Sequence, residues 1–495
     1  MLLRDILRGL PNYQIDGSLD FDVKNIFYDS RRVTEDSLFI CIEGLEFDGH
    51  DFIGQAVEKG AKVIVANQGR NIKTSDGVNI VYVPDTRRAM VDISKAFFGN
   101  PGTRIRLVGV TGTNGKTTTT YMIKAILDKT GSKNAVLGTI KNIIGDRIIE
   151  TERTTPESMD LQRLLRYMVD EGVENAIMEV SSHSLEMGRV EGCDFDVGIF
   201  TNITQDHLDF HKTFDNYLGA KIKLFNKSKK AAINIDDPSS NKIIDSIRGD
   251  VTTYGIHKKS DIYAKNININ NKGTRFTLVL PGQQRNIFLK IPGIFSVYNA
   301  LAAATCCYII GIDIDTIKLG LESMPTIPGR FQAVNAGQPF TVIVDYAHTP
   351  DGLENVLRAI KGFAKGDIIT VFGCGGDRDT AKRPMMGKVA GQYSDICILT
   401  SDNPRSEEPL DIIKDIEKGI INTKCIYKSI ENRKEAIKEA LFIAKEEDVV
   451  LIAGKGHETY QIIKDRTIHF DDSEVVRELL EGELHRGKND CTGNC

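Results

Sequence analysis

Ile105-Arg106-Leu107-Val108-Gly109-Val110-Thr111-Gly112-Thr113-Asn114-Gly115-Lys116-Thr117-Thr118 decides the reading of this chain. An apolar run passes into a glycine-rich turn. Behind the turn, Met122, Ile123, Ile126 and Leu127 share one face of a helical pattern that Gly131 can stop. Strand, glycine turn and helix in that order turn backbone N–H groups and a helix N-terminus toward an anion, as a phosphate loop requires. Lys116 is spaced to reach the β- and γ-phosphates of a nucleotide, and Thr117 to hold Mg²⁺. The strict pattern G-x-x-x-x-G-K-[ST] is not met, because position 110 is Val and the early glycine is Gly109. The bland alternative is a glycine turn with a solvated lysine. The strand–loop–helix context favours nucleotide binding.

Working outward, buried-strand runs recur at 135–137, 176–180, 197–200 and 231–235, with helical stretches between them. That alternation predicts a parallel α/β sheet. Residues 261–291 instead alternate apolar and polar around Asn271-Lys272-Gly273, which predicts a small antiparallel patch. A third block opens near Pro328-Gly329-Arg330. It has strand runs at 340–344, 368–372, 396–400 and 449–453 and a helix over 431–445, again βαβα and so doubly wound. The first block carries short runs at 26–28, 38–42 and 61–66 and ends at Asn100-Pro101-Gly102, read as a linker. The expected fold is α/β in three domains: 1–100, 101–330 with a P-loop ATPase-like parallel sheet, and a Rossmann-like 331–495. Residues 487–495 read as a frayed polar tail.

With 495 residues, 41% hydrophobic and 26% charged, the chain can bury several cores, which excludes a disulfide mini-protein, a collagen-like rod and a wholly disordered tail. Sixty-three Lys and Arg against 68 Asp and Glu leave a net charge of −5, with no global pull toward nucleic acid or an anionic membrane. The apolar stretch 301–312 is too short to span a bilayer. A charge at Arg4 denies the N-terminus a secretory apolar region, and nine scattered cysteines suit reduced thiols. A cytoplasmic protein, monomeric and with small-molecule partners, is expected. Cys306-Cys307 reads as core; Cys491 and Cys495 have no assigned role.

Two further clusters stand at predicted strand ends. Glu179 closes an apolar run in Met178-Glu179-Val180-Ser181-Ser182-His183. A carboxylate at the carboxyl edge of a sheet is well placed to hold a metal beside phosphates. The next run ends in Thr201-Asn202-Ile203-Thr204-Gln205-Asp206-His207-Leu208-Asp209-Phe210-His211. Asp and His are common in loops, but two such clusters at consecutive strand ends shift the balance toward a metal site.

Together these residues resemble the Mur ligase family, ATP-dependent amide-forming enzymes of peptidoglycan synthesis. The resemblance runs through Thr111 to Thr117, Glu179-Val180-Ser181-Ser182-His183, Asp206-His207-Leu208-Asp209, Ala220-Lys221, Asn299-Ala300, Gly329-Arg330 and Asp345-Tyr346-Ala347-His348. It implies an ATP site at Gly112, Thr113, Asn114, Gly115, Lys116, Thr117, Thr118, Asn299, Arg330 and Asp345, with His348 a further catalytic-site residue of no definite role. It also implies Mg²⁺ on Thr117, Glu179, His207 and Lys221, the lysine carbamylated by CO₂ and so an anionic oxygen ligand for a hard cation.

Within the family the chain is similar to the branch that adds the third residue of the stem peptide. Asp29-Ser30-Arg31 resembles the uridine-nucleotide motif. Thr154-Thr155-Pro156-Glu157, Ser181 and Arg189 match positions that hold the UDP-MurNAc-L-Ala-D-Glu acceptor. Met187, and Leu45-Glu46-Phe47 where some members carry His-Gln-Ala, depart from the pattern. Asp402-Asn403-Pro404-Arg405 is the form that goes with meso-diaminopimelate, whose second carboxylate suits a planar Arg fork. Arg383, Gly454 and Glu458 match other contacts to that amino acid. The resemblance implies an acyl-phosphate route and domain closure about a hinge near residue 330. Three alternatives stay open here: an L-lysine-adding relative, a folylpolyglutamate synthetase-like ligase and a nucleotide-gated scaffold.

Overall fold

A computed structural model describes the chain except residues 45, 46, 76, 152, 271 and 491–495 and the side chains of 483–490. Part of the Leu45-Glu46-Phe47 departure, Asn271 of the expected turn, and Cys491 and Cys495 therefore lie outside the described residues. The fold is α/β, and the chain divides into two compact units. The first comprises residues 1–111, 132–198 and 220–230; the second comprises 112–131, 199–219 and 231–495.

In the first unit, one five-stranded sheet runs in the order Gln14–Asp16, Asn79–Val83, Ala61–Asn67, Ser37–Ile40, Asn25–Phe27. The edge strand Gln14–Asp16 is antiparallel and the others are parallel. The strand Ala61–Asn67 is buried on both faces, so it reads as a near-continuous apolar run rather than an alternating one. The helix Thr86–Phe97 starts where Asp85 accepts from the amides of Arg87 and Arg88, and it buries Ala89, Met90 and Ile93 in the core of this sheet. The expected linker at Asn100-Pro101-Gly102 is instead a short 3₁₀ helix, Pro101–Arg104: Asn100 takes a left-handed φ of 50° and Pro101 fixes the first helical turn.

The same unit holds parallel strands in the order Arg106–Thr111, Asn175–Glu179, Asn134–Leu137, followed by the antiparallel pair Asn142–Ile144 and Arg147–Ile149. Leu107, Ala135, Leu137, Ala176 and Met178 build its core. The register pairs Glu179 with Val110, which brings the candidate carboxylate to the same sheet edge from which the glycine turn departs.

In the second unit, the helix Lys116–Asp128 packs on the helices Ile294–Ile309 and Ile314–Ser323. Cys306 and Cys307 are buried there, as expected of core residues. The expected antiparallel patch is the meander Ile262–Asn270, Gly273–Leu280, Gln283–Leu289, joined in parallel to Asp250–Gly255. A six-stranded sheet follows in the order Gln332–Val334, Thr341–Asp345, Val449–Ala453, Ile368–Phe372, Ile396–Leu399, Ile426–Ser429. All but the first strand are parallel. The late strand Val449–Ala453 inserts between two early ones, so the strand order reverses there. Their carboxyl ends open a crevice at the usual ligand position of a doubly wound sheet. Of the expected frayed tail over 487–495, residues 487–490 instead continue the helix Asp472–Asp490, whose start is anchored by Val475, Val476 and Leu480 in the core of this sheet, and 491–495 lie outside the described residues.

Candidate active site

The glycine turn is built by close approach. Gly112 and Gly115 have φ of 152° and 87°. A Cβ added at Gly112 would strike the Thr201 hydroxyl, and one at Gly115 the Asn299 side-chain carbonyl. Only glycine meets both demands. Gly115 is also the N-cap of the helix Lys116–Asp128 and has no side chain to occupy its first-turn amides. Lys116 folds back over the turn, with Nζ donating to the carbonyls of Gly112 and Thr113 at 2.9 Å each. Asn114 is braced three ways. Its amide donates to Asn202 Oδ1 at 2.9 Å, its carbonyl accepts from Thr201 Oγ1 at 2.7 Å, and its Nδ2 donates to Asp351 at 2.6 Å. Thr113 Oγ1 lies 3.0 Å from Tyr217 Oη.

Arg330 meets the same helix. Its Nη2 donates to Thr117 Oγ1 at 3.1 Å, and its guanidinium lies 4.7 Å from the centre of the Tyr346 ring. Asp345, at the end of the strand Thr341–Asp345, accepts from the Phe331 amide at 2.6 Å. Burial pushes its carboxyl up to about 6, against the pull of Arg330. His348 sits with Nδ1 2.9 Å from the Tyr346 carbonyl. A carbonyl only accepts, so Nδ1 carries the proton and Nε2 keeps a lone pair. Burial and the nearby Lys382 hold His348 below the ordinary histidine range, which keeps the ring neutral. His457 also packs against Tyr346, ring centres 4.8 Å apart, and burial takes it down to about 3. His207, at a left-handed φ of 55°, lies 3.4 Å from Asp206. Burial raises Asp206, but His207, His348 and Lys382 outweigh it and hold the carboxyl low.

In the first unit, Glu179 is buried. Its two oxygens accept from the Thr139 amide at 2.9 Å and the Thr139 hydroxyl at 3.0 Å. Thr154 Oγ1 lies 3.1 Å from the same hydroxyl. Thr155 donates to the Glu179 carbonyl at 2.8 Å and accepts from the Ser181 amide at 3.1 Å. Lys221 is 1% exposed, unusual for a lysine. Glu157 is surrounded by three guanidinium groups, Arg87 at 3.4 Å, Arg189 at 3.0 Å and Arg153. The Arg189 contact is off-axis, an ion pair rather than a hydrogen bond. Ser30 donates to Gln55 Oε1 at 2.6 Å.

The C-terminal crevice collects the remaining candidates. Arg405 adopts a left-handed φ of 52°, and its Nη1 donates to the Gly376 carbonyl at 2.7 Å. Asn403 donates to Glu458 at 2.8 Å and accepts from the Ile462 amide at 2.9 Å. Gly454 has φ 112°, with the Asp402 carboxylate where a Cβ would stand. Arg383 is 2% exposed and pairs with Glu407 at 2.7 Å and Asp415 at 3.0 Å, leaving Nε without a hydrogen-bond partner.

Three family models cover most of the sequence: the Mur ligase family catalytic domain over residues 22–98, the Mur ligase middle domain over 110–307 and the Mur ligase glutamate ligase domain over 329–456. The chain belongs to the Mur ligase family. It is 49% identical over 484 residues to the UDP-N-acetylmuramoyl-L-alanyl-D-glutamate–2,6-diaminopimelate ligase of Clostridium tetani, covering 97% of this chain and 99% of that one. It is 50% identical over 481 residues to the ligase of the same name from Caldanaerobacter subterraneus subsp. tengcongensis, with the same coverage. A solved structure of a UDP-N-acetylmuramoyl-L-alanyl-D-glutamate–2,6-diaminopimelate ligase superposes with a TM-score of 0.69 at 32% identity, over 98% of this chain and 99% of that one.

In this Mur ligase, Arg330 meets Thr117, Lys116 folds over Gly112 and Thr113, and Asn299 closes on Gly115. Glu179, Thr154, Thr155 and Ser181 form one bonded cluster. Asn403 and Glu458 form another. Asp351, Thr139 and Tyr217 brace these groups and were not anticipated. Asp351 lies in the first turn of the helix Pro350–Lys361, after a Thr349 cap and a proline, a helix-start signal that carries no functional mark. Among the described residues, no helix is long and apolar enough to cross a membrane.

Proposed function

We propose that this chain is the ATP-dependent ligase that joins meso-diaminopimelate to UDP-N-acetylmuramoyl-L-alanyl-D-glutamate in the cytoplasm, a step of peptidoglycan precursor synthesis. The observation that carries this reading is the near-full-length likeness, at about half identity, to ligases of that name. The proposed domain roles are uridine-nucleotide binding for 1–100, ATP binding for 101–330 and amino-acid binding for 331–495.

The two substrates, a carboxylate and an amine, do not condense in water unaided. On this reading the D-glutamyl γ-carboxylate attacks the γ-phosphorus of ATP, the bond to the bridging oxygen breaks and ADP leaves. The diaminopimelate amine then attacks the acyl phosphate, and inorganic phosphate departs. Two anions must meet, so the protein's task is charge compensation and positioning. Gly112 through Thr118 suit a triphosphate, because Gly115 starts the helix Lys116–Asp128 with no capping side chain over its first-turn amides. Lys116 and Arg330 offset its charge, Asn299 contacts adenine, and Asp345 fixes the neighbouring contact. Thr117, Glu179, His207 and Lys221 are the proposed Mg²⁺ ligands, with Lys221 as a carbamate. A bare buried ammonium would repel the cation, whereas carboxylate-type oxygens suit it. Bound Mg²⁺ would supply neutralisation of the phosphate oxygens.

Ser30, Thr154, Thr155, Ser181 and Arg189 are proposed to hold the acceptor. Three arginines around the single carboxylate of Glu157 leave a positive excess suited to an anion. Arg383, Asp402, Asn403, Pro404, Arg405, Gly454 and Glu458 are proposed for diaminopimelate, with Arg405 selecting it over L-lysine through the distal carboxylate. His348 belongs to the same site. The test is ADP release in the presence of acceptor and each amino acid, with product mass measured. Turnover with meso-diaminopimelate is expected; turnover with L-lysine alone would favour the lysine-adding relative.

A further inference from the structure

The C-terminal crevice contains a cation that none of the roles above uses. Lys455 is fully buried. Its Nζ lies 3.2 Å from Glu458 Oε2 and 3.4 Å from Asn403 Oδ1, and 5.5 Å from the centre of the Tyr460 ring. Asn403 Nδ2 donates to the same Glu458 oxygen at 2.8 Å. Two donors converge on one oxygen, so the carboxylate is held in a single orientation.

Charge gives the arrangement a purpose. Burial and the neighbouring Asp402 both push the Glu458 carboxyl up, so holding Glu458 ionised there calls for a compensating cation. We propose that Lys455 is a positioning residue for amino-acid recognition: its buried ammonium keeps Glu458 ionised and aimed, leaving one net negative charge to receive a substrate ammonium. This rests on the reading of the crevice as the diaminopimelate site.

The groups that face Glu458 are Asp402, Lys455, Tyr346, Tyr460 and Arg433. Both tyrosines are held above their ordinary range, chiefly by burial, and so stay neutral; Arg433 is paired with Asp472. Asp402 and Lys455 therefore decide the balance. Burial and Asp402 push Glu458 up, while Lys455 and Asn403 pull it down. Without Lys455, Glu458 takes up its proton at a higher pH and loses its hold on an ammonium there.

The experiment is the pH profile of kcat/KM for meso-diaminopimelate in the full-length enzyme, wild type against Lys455→Met. The acid limb should move up by about one pH unit, so that kcat/KM for diaminopimelate falls by up to about tenfold at pH values below both limbs and recovers above them, with a KM for ATP within twofold. Lys455→Gln, which keeps an N–H donor toward Glu458 but no charge, should show the same displacement, and it serves if the Met variant does not fold. Profiles that superimpose on the wild type in both variants would overturn the proposal. A wild-type enzyme with no diaminopimelate-dependent turnover would instead remove the reading on which it rests.

Discussion

Arg433 and Asp472 form a bidentate ion pair with both side chains fully buried, Nε and Nη2 donating to the two carboxylate oxygens at 2.7 and 2.8 Å. Arg433 opens the helix Arg433–Ile443 and Asp472 opens the helix Asp472–Asp490, and Arg433 Nη2 also donates to the Ala453 carbonyl at 3.0 Å. One guanidinium thus ties two helix starts to the strand end that leads into Gly454. Truncating Asp472 to Ala strands a buried cation and is expected to cost about 3–5 kcal/mol in chemical denaturation. The double variant Arg433→Met/Asp472→Leu removes the charge as well as the unpartnered Nη1, and should lose less than the single variant. A double variant at least as unstable as Asp472→Ala would contradict this.

Arg330→Lys keeps the charge but loses the fork that reaches Thr117 and the flat face over Tyr346. Loss of one hydrogen bond to a charged group is worth about 1.5–3 kcal/mol, or roughly 10- to 100-fold in kcat/KM for ATP. Steady-state phosphate release at varied ATP measures it, and an unchanged constant would mean that a point charge suffices.

Asp345 gives the fold a pH signature. Its carboxyl stands at about 6 in the folded protein against an ordinary 3.8. Between those values the folded state holds a proton that the unfolded chain has released, so stability falls as pH rises through the window. The penalty above it is on the order of 3 kcal/mol. In Asp345→Asn that penalty is gone, so stability relative to the wild type should improve from pH 4 to pH 7. Parallel urea-denaturation midpoints for the two proteins across this range would exclude the effect.

Lys221→Ala removes the proposed carbamate oxygen ligand. If several kcal/mol of charge stabilisation go with it, turnover drops by about 100-fold or more. Short carboxylates such as acetate should restore part of the rate. Full activity in the untreated variant would refute the carbamate role.

The sheets were legible because parallel strands buried on both faces leave continuous runs such as Ala-Ile-Met at 176–178, and because glycine must stand where a chain turns over an anion. The hairpin Tyr460–Ile463 with Arg466–His469 escaped notice, since its residues are largely exposed and carry no clean alternation. The terminal helix escaped for a different reason. Its anchors Val475, Val476 and Leu480 precede a strongly polar stretch, and the local pattern does not show that the helix continues through it. At the site, motif residues could be found by their spacing. Asp351 and Thr139 could not, because each acts only through a tertiary bond, to Asn114 and to Glu179.

The backbone of Arg405 limits how this ligase could be redirected. At φ 52° the position tolerates Asn, Asp or Gly far better than any β-branched residue. A designer seeking a different third amino acid would therefore begin from those three side chains, and would treat Val, Ile or Thr at 405 as a refolding of the turn rather than a change of ligand contact.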